Sequence, residues 1–86
     1  MNFELTNSFK KKAKKLCLKN PRLKSTLIKQ FNIFGTNPQH PSLKLHRLQG
    51  NRSVQFAMWV ANDLRAIAIK SEDKFIFFDL ISHDKY

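Results

Sequence analysis

The stretch that decides the fold is SVQFAMWVANDLRAIAIKSEDKFIFFDLI, residues 53–81. Val54, Phe56, Met58 and Val60 alternate with Gln55, Ala57 and Trp59, which is the period of a strand with two distinct faces. Asn62-Asp63 follows, a pair suited to a hairpin turn. Residues 64–70 and 75–81 read as two more strands, separated by the polar turn Ser71-Glu72-Asp73-Lys74. Together they predict an antiparallel three-stranded meander.

Upstream the period changes. Phe3 and Leu5 alternate with polar residues, so 2–6 reads as a short strand. Asn7 or Ser8 then caps a helix whose Phe9, Ala13, Leu16 and Cys17 form one apolar stripe. Asn20-Pro21 opens a second helix, with Asn20 as cap, Pro21 in the first turn, and Leu23, Leu27, Ile28, Phe31 and Phe34 on its apolar face. Gly35 is placed to end that helix in a left-handed cap. So tight a connection predicts an antiparallel helical hairpin. Thr36 to Pro41 reads as a loop, Leu43, Leu45 and Leu48 as an irregular extended segment, and Gln49-Gly50-Asn51 as a turn. The expected architecture is α+β: an N-terminal strand and a helical hairpin packed on one face of a small, mainly antiparallel sheet. The other face is left free as a concave surface.

Eighty-six residues make one domain, 1–86, with 42% apolar residues, two Gly and three Pro, a globular composition. The charge is lopsided. Residues 1–62 hold twelve Lys and Arg and one acid, Glu4, for a net of +11, whereas residues 63–86 carry a net of −1. Such a field attracts polyanions: nucleic acid, an acidic protein partner, or an anionic membrane. No apolar run approaches the ~18 residues of a spanning helix, and the lone Cys17 fits a reducing compartment, so a cytoplasmic setting with no membrane partner is expected.

Most catalytic chemistries find no support. His40, His46 and His83 have no zinc-site spacing, Cys17 lies on a helical apolar stripe, and two glycines cannot make a phosphate loop. Neither metal nor cofactor is expected. RNA cleavage remains, because the ribose 2′-OH is the nucleophile; it needs a base, an acid and cations at the phosphate. His46, Asp63 and His83 are candidate acid–base groups, with Lys44, Arg47 and Arg65 as candidate charge stabilisers. On composition alone, ordinary surface residues are the favoured reading of this set.

Several segments resemble the RelE/ParE bacterial toxin superfamily. Asn37-Pro38, His40-Pro41-Ser42-Leu43-Lys44, His46, Leu48 and Gly50 resemble its central segment, and Asp63-Leu64-Arg65-Ala66-Ile67 its second meander strand. Ile81-Ser82-His83-Asp84-Lys85-Tyr86 is similar to its closing tail, and the Phe9-Lys10-Lys11 helix fits as well. The pattern is most similar to the YafQ-like mRNA interferase branch. The resemblance implies a type II toxin that cleaves mRNA, often on the ribosome, and is silenced by a cognate antitoxin, with DNA met only through that antitoxin. It implies that His46, Asp63 and His83 belong to the active site. With Arg65 they are the expected catalytic residues, Lys44, Arg47, Trp59 and Tyr86 are the expected substrate-binding residues, and the charge excess of residues 1–62 makes Lys10, Lys11, Lys14 and Lys15 the expected RNA-binding surface. Trp59 stands where the branch often has His and its relatives Arg, and a tryptophan there can stack on a base. A gyrase-inhibiting ParE-like toxin, or an inactive nucleic-acid-binding relative, is the alternative.

Overall fold

Strand β1 (Asn2–Leu5) leads directly into helix α1 (Asn7–Lys19) in the computed structural model, which describes residues 1–50 and 54–82. Thr6, not Asn7 or Ser8, is the N-cap: its hydroxyl oxygen accepts from Phe9 N at 3.1 Å. The cap sits one residue early because Thr6 N still donates to Phe77 O at 3.0 Å, so strand pairing ends exactly where the helix begins. Ser8 instead donates to the Phe78 carbonyl.

Asn20 closes α1 through its N–H to Leu16 O and is not a side-chain cap for α2 (Arg22–Thr36); Pro21 holds that place with no side-chain bond. Gly35 does not end α2 in a left-handed turn. The helix runs on to Thr36, and Asn37, in an extended conformation, caps it through its N–H to Ile33 O. Gly35 carries no positive φ; it lies beside Phe3, and its carbonyl accepts from the N-terminal amine at 2.6 Å. An added Cβ would meet Phe3 Cε1 at 3.9 Å, an ordinary contact. Gly35→Ala is therefore expected to raise stability, by about 0.5–1 kcal/mol, by reducing unfolded-chain entropy. Chemical denaturation reads this as a higher midpoint at unchanged slope.

After a 3-10 turn at Pro41–Leu43 come β2 (His46–Arg47), β3 (Gln55–Ala61), β4 (Leu64–Ser71) and β5 (Lys74–Ser82). Leu43 is thus in a turn and fully buried, not extended. The sheet order is β1-β5-β4-β3-β2, with β1 parallel to β5 and every other pair antiparallel. Both hairpin turns pivot on a non-glycine residue in the left-handed region, Asn62 (φ 51°) and Glu72 (φ 56°). Val54 precedes β3 and is exposed, so the alternation holds only from Gln55 onward. Ser53 and Asn51, read as strand and turn, lie outside the described residues.

The main core joins the helices to one sheet face. Phe9, Leu23, Leu27, Phe31 and Phe34 pack on Met58, Val60, Ala66, Ala68, Phe75 and Phe77. Phe77 is the hub, meeting Phe31 edge-to-face at 4.9 Å and Phe34 at 5.4 Å. Ile28 is an exception to the predicted apolar face, since it is 53% exposed. The opposite sheet face is not bare. Ala57 and Ile67 are fully buried there in a small cluster with Leu48, flanked by Phe78 and Ile81.

Candidate functional site

Strand parity decides which candidates meet. His46 pairs with Ala57 and Trp59 pairs with Arg65, and directly paired residues share a face. Ala57 belongs to the small cluster away from the helices, so His46, Trp59 and Arg65 all stand on that face, around its apolar floor. His46 and Arg65 are two strands apart, about 10 Å across the sheet. Arg47, one residue on, turns the other way: it pairs with Phe56, and its guanidinium lies 5.3 Å from that ring on the helix side. It does not join the others.

His46 is exposed, and its Nδ1 lies 2.8 Å from the Lys44 carbonyl oxygen. A carbonyl can only accept, so Nδ1 carries the proton and the neutral ring presents Nε2 as a free acceptor. Lys44 can offer that carbonyl because it sits in the left-handed region, φ 47°, at the end of the 3-10 turn. That turn is itself held by His40, whose Nδ1 accepts from Ser42 N at 3.1 Å. His40 Nδ1 is thus an acceptor that holds the turn, whereas His46 Nδ1 is a donor, which leaves the His46 Nε2 to accept.

Trp59 and Arg65 are fixed on one acceptor. Trp59 Nε1 donates to Asn62 O at 2.8 Å, and the Arg65 guanidinium donates to the same oxygen at 3.1 Å. Asparagine tolerates the left-handed geometry that aims this carbonyl. The Lys44 ammonium lies 5.5 Å from the Trp59 ring centroid, within cation–π range. One tryptophan therefore has a cation on its face and a second cation beside its edge. Asp63 is exposed at the tip of the β3–β4 turn, next to Asn62.

Gln30 was not foreseen. It is 3% exposed, and its Nε2 donates to Trp59 O at 2.9 Å and to Ser42 O at 3.3 Å. The β3–β4 register slips between Trp59 and Ala61, and Gln30 bonds the Trp59 carbonyl at that slip. A helix side chain thus ties together the two segments that carry Trp59 and Lys44. Its only sequence signal is a polar residue beside Phe31 on an apolar face.

The lysines of α1 stand apart from this face. Lys10, Lys11, Lys14 and Lys15 are exposed on the helix side, and Lys12 is paired with Asp79 at 2.9 Å. His83 and Tyr86 lie outside the described residues. No group of three His, Cys, Asp or Glu among the described residues could hold a metal ion, and no helix among them is long and apolar enough to cross a membrane.

No family model and no curated protein matches the sequence. Solved structures do. The fold is similar to a YoeB/ParE toxin from Agrobacterium tumefaciens, at 13% identity and TM-score 0.77, over 96% of this chain and 99% of that one. It is similar to YafQ from Escherichia coli, at 20% identity and TM-score 0.74, over 96% and 93%. It also matches a chain of the E. coli DinJ–YafQ toxin–antitoxin complex, at 21% identity and TM-score 0.73, over 96% and 92%. The chain has the fold of RelE/ParE-type toxins, with YafQ among its structural neighbours.

Proposed function

We propose that the chain is the toxin of a type II toxin–antitoxin pair and that it acts in the cytoplasm as an mRNA endonuclease, working on the ribosome by 2′-OH attack without a metal. The observation that carries this is the His46 imidazole, held by the Lys44 carbonyl with Nε2 open, on the same sheet face as Trp59 and Arg65. The shared fold with toxins, one of them in complex with an antitoxin, supports the toxin role and the antitoxin partner.

In this reading His46 Nε2 takes the 2′-OH proton. The 2′-oxygen attacks the adjacent phosphorus, and Arg65 and Lys44 hold the charge that builds on its oxygens. The 5′-oxygen leaves with a proton from His83, a role taken from the tail resemblance, and Asp63 assists at the turn. The products are a 2′,3′-cyclic phosphate and a 5′-hydroxyl. Trp59 carries a splayed base, and Tyr86 contacts substrate. Arg47, turned to the helix side, is left out of the chemistry. Primer extension on RNA from cells expressing the chain tests the reading: discrete breaks within messages are expected, and intact messages alongside arrested gyrase would favour the ParE-like alternative.

Two further results are expected. Trp59 is the only tryptophan, so RNA stacking should quench the intrinsic emission, and Trp59→Ala should weaken RNA binding about ten- to a hundredfold, the worth of one stacked base. The second concerns Lys10, Lys11, Lys14 and Lys15. The chain measures about 32 Å in its longest extent, so a ribosome can touch α1 and the open sheet face together. Replacing all four by Gln should lower ribosome affinity and flatten its salt dependence by a slope of about 0.7–0.9 per lost phosphate contact. An unchanged slope would make these lysines a solvated surface.

A further inference from the structure

Gln30 is the one buried polar side chain among the described residues. It stands in α2 between core positions Leu27, Phe31 and Phe34, where packing alone calls for an apolar side chain and a buried amide is costly unless it is bonded. Both of its partners are carbonyl oxygens, so the amide nitrogen must face them and both of its N–H groups are used. Each partner leads to the open sheet face. Ser42 belongs to the 3-10 turn, and Lys44 follows it in the left-handed conformation with its carbonyl 2.8 Å from His46 Nδ1. Trp59 carries its indole on that face, and its carbonyl is held by Gln30 where the β3–β4 register slips. The Lys44 ammonium lies 5.5 Å from the indole centroid, so the two segments that Gln30 ties meet again at the site.

We infer that Gln30 is a positioning residue for RNA cleavage: by holding the Ser42 and Trp59 carbonyls together, it fixes the Lys44 ammonium over the Trp59 ring and the Lys44 carbonyl against His46. Its effect on rate rests on the cleavage reading above, whereas its effect on Trp59 rests on the geometry alone. Gln30 is 3% exposed, so it acts through two backbone oxygens and not by touching substrate. An apolar side chain of the same length keeps the packing and loses both bonds. The turn and the slipped strand are then free to shift against each other. A shift of about 1 Å between a base, a cation and the platform that carries the substrate is enough to cost about a hundredfold in rate.

Gln30→Met is that change. At a temperature well below its thermal midpoint, where its circular dichroism matches the parent, the rate at saturating RNA is expected to fall about ten- to a hundredfold, with a rise in KM. Trp59 is the only tryptophan, so its emission and its indole N–H resonance report the site without any cleavage. In Gln30→Met, acrylamide should quench the emission more strongly and the indole resonance should move. Gln30→Glu matches the amide in shape but sets a carboxylate against two carbonyl oxygens, and it should do the same. Leu23→Ala is the control. It opens a cavity in the α2 core, away from the site, and should lower the thermal midpoint while rate, KM and both Trp59 signals stay parental. A folded Gln30→Met or Gln30→Glu with parental Trp59 signals overturns the inference, and so does one that cleaves with the parental rate and KM. A Leu23→Ala that moves Trp59 equally overturns it as well. If neither Gln30 variant folds, the residue holds the fold and not the site, and the inference falls. The cleavage reading fails separately: a parent that cuts no RNA, with Trp59 signals that move in Gln30→Met, keeps the positioning and loses the nuclease.

Discussion

His46→Ala is expected to lower RNA cleavage by about a hundred- to ten-thousandfold, the usual cost of losing a positioned base. The imidazole makes one bond, to the Lys44 carbonyl, and is otherwise exposed, so the fold does not depend on it. Circular dichroism and thermal midpoint should match the parent. Its effect should fall on the rate at saturating RNA, whereas Trp59→Ala should act mainly on affinity. That split separates proton transfer from binding. His83→Ala is expected to cost as much if the tail resemblance holds. Cleavage by His46→Ala at the parental rate would remove the histidine from the chemistry.

Phe77→Ala is the largest stability loss expected. The ring is fully buried and touches Phe3, Phe9, Phe31, Phe34 and Phe75, so it joins β1, both helices and β5. Large-to-small changes at such a site cost about 3–5 kcal/mol. A domain this small commonly has total stability only somewhat above that. The thermal midpoint should fall by about 15 °C or more, and the variant should expose apolar surface to a reporter dye. Phe78→Ala, one residue on but facing the smaller cluster, should cost clearly less.

The contrast between Phe77 and Phe78 shows what was legible in the sequence and what was not. The meander could be read because period-two alternation survives without knowledge of partners, and Asn62-Asp63 and Glu72-Asp73 are polar interruptions between apolar runs. The helices were legible as segments, but their ends were not. Thr6, Asn7 and Ser8 can all cap, and the choice was made by Thr6 N reaching Phe77 O, seventy-one residues away. Gly35 looked like a terminator, yet it sits within α2 against Phe3 and the N-terminus. Ile28 matched the helical stripe, but it is exposed to solvent instead of joining the core.

For the site, the residue types could be chosen, but not their faces. His46 joins Trp59 and Arg65, and Arg47 does not, only because β2 pairs His46 with Ala57; a one-residue shift would exchange them. A two-residue strand carries too little pattern to set that register. Gln30 was invisible for a related reason: its acceptors, Ser42 and Trp59, are brought to it by tertiary packing.

Under the proposed function, this chain cuts RNA through the ribose 2′-hydroxyl. The direct measurement uses two otherwise identical oligonucleotides on programmed ribosomes, one all-ribo and one with a single 2′-deoxy sugar at the mapped cleavage site. The first is expected to be cut to a 2′,3′-cyclic phosphate and the second to be left intact at that site. Cutting of the deoxy substrate there, or a 3′-hydroxyl product from the ribo substrate, would contradict it.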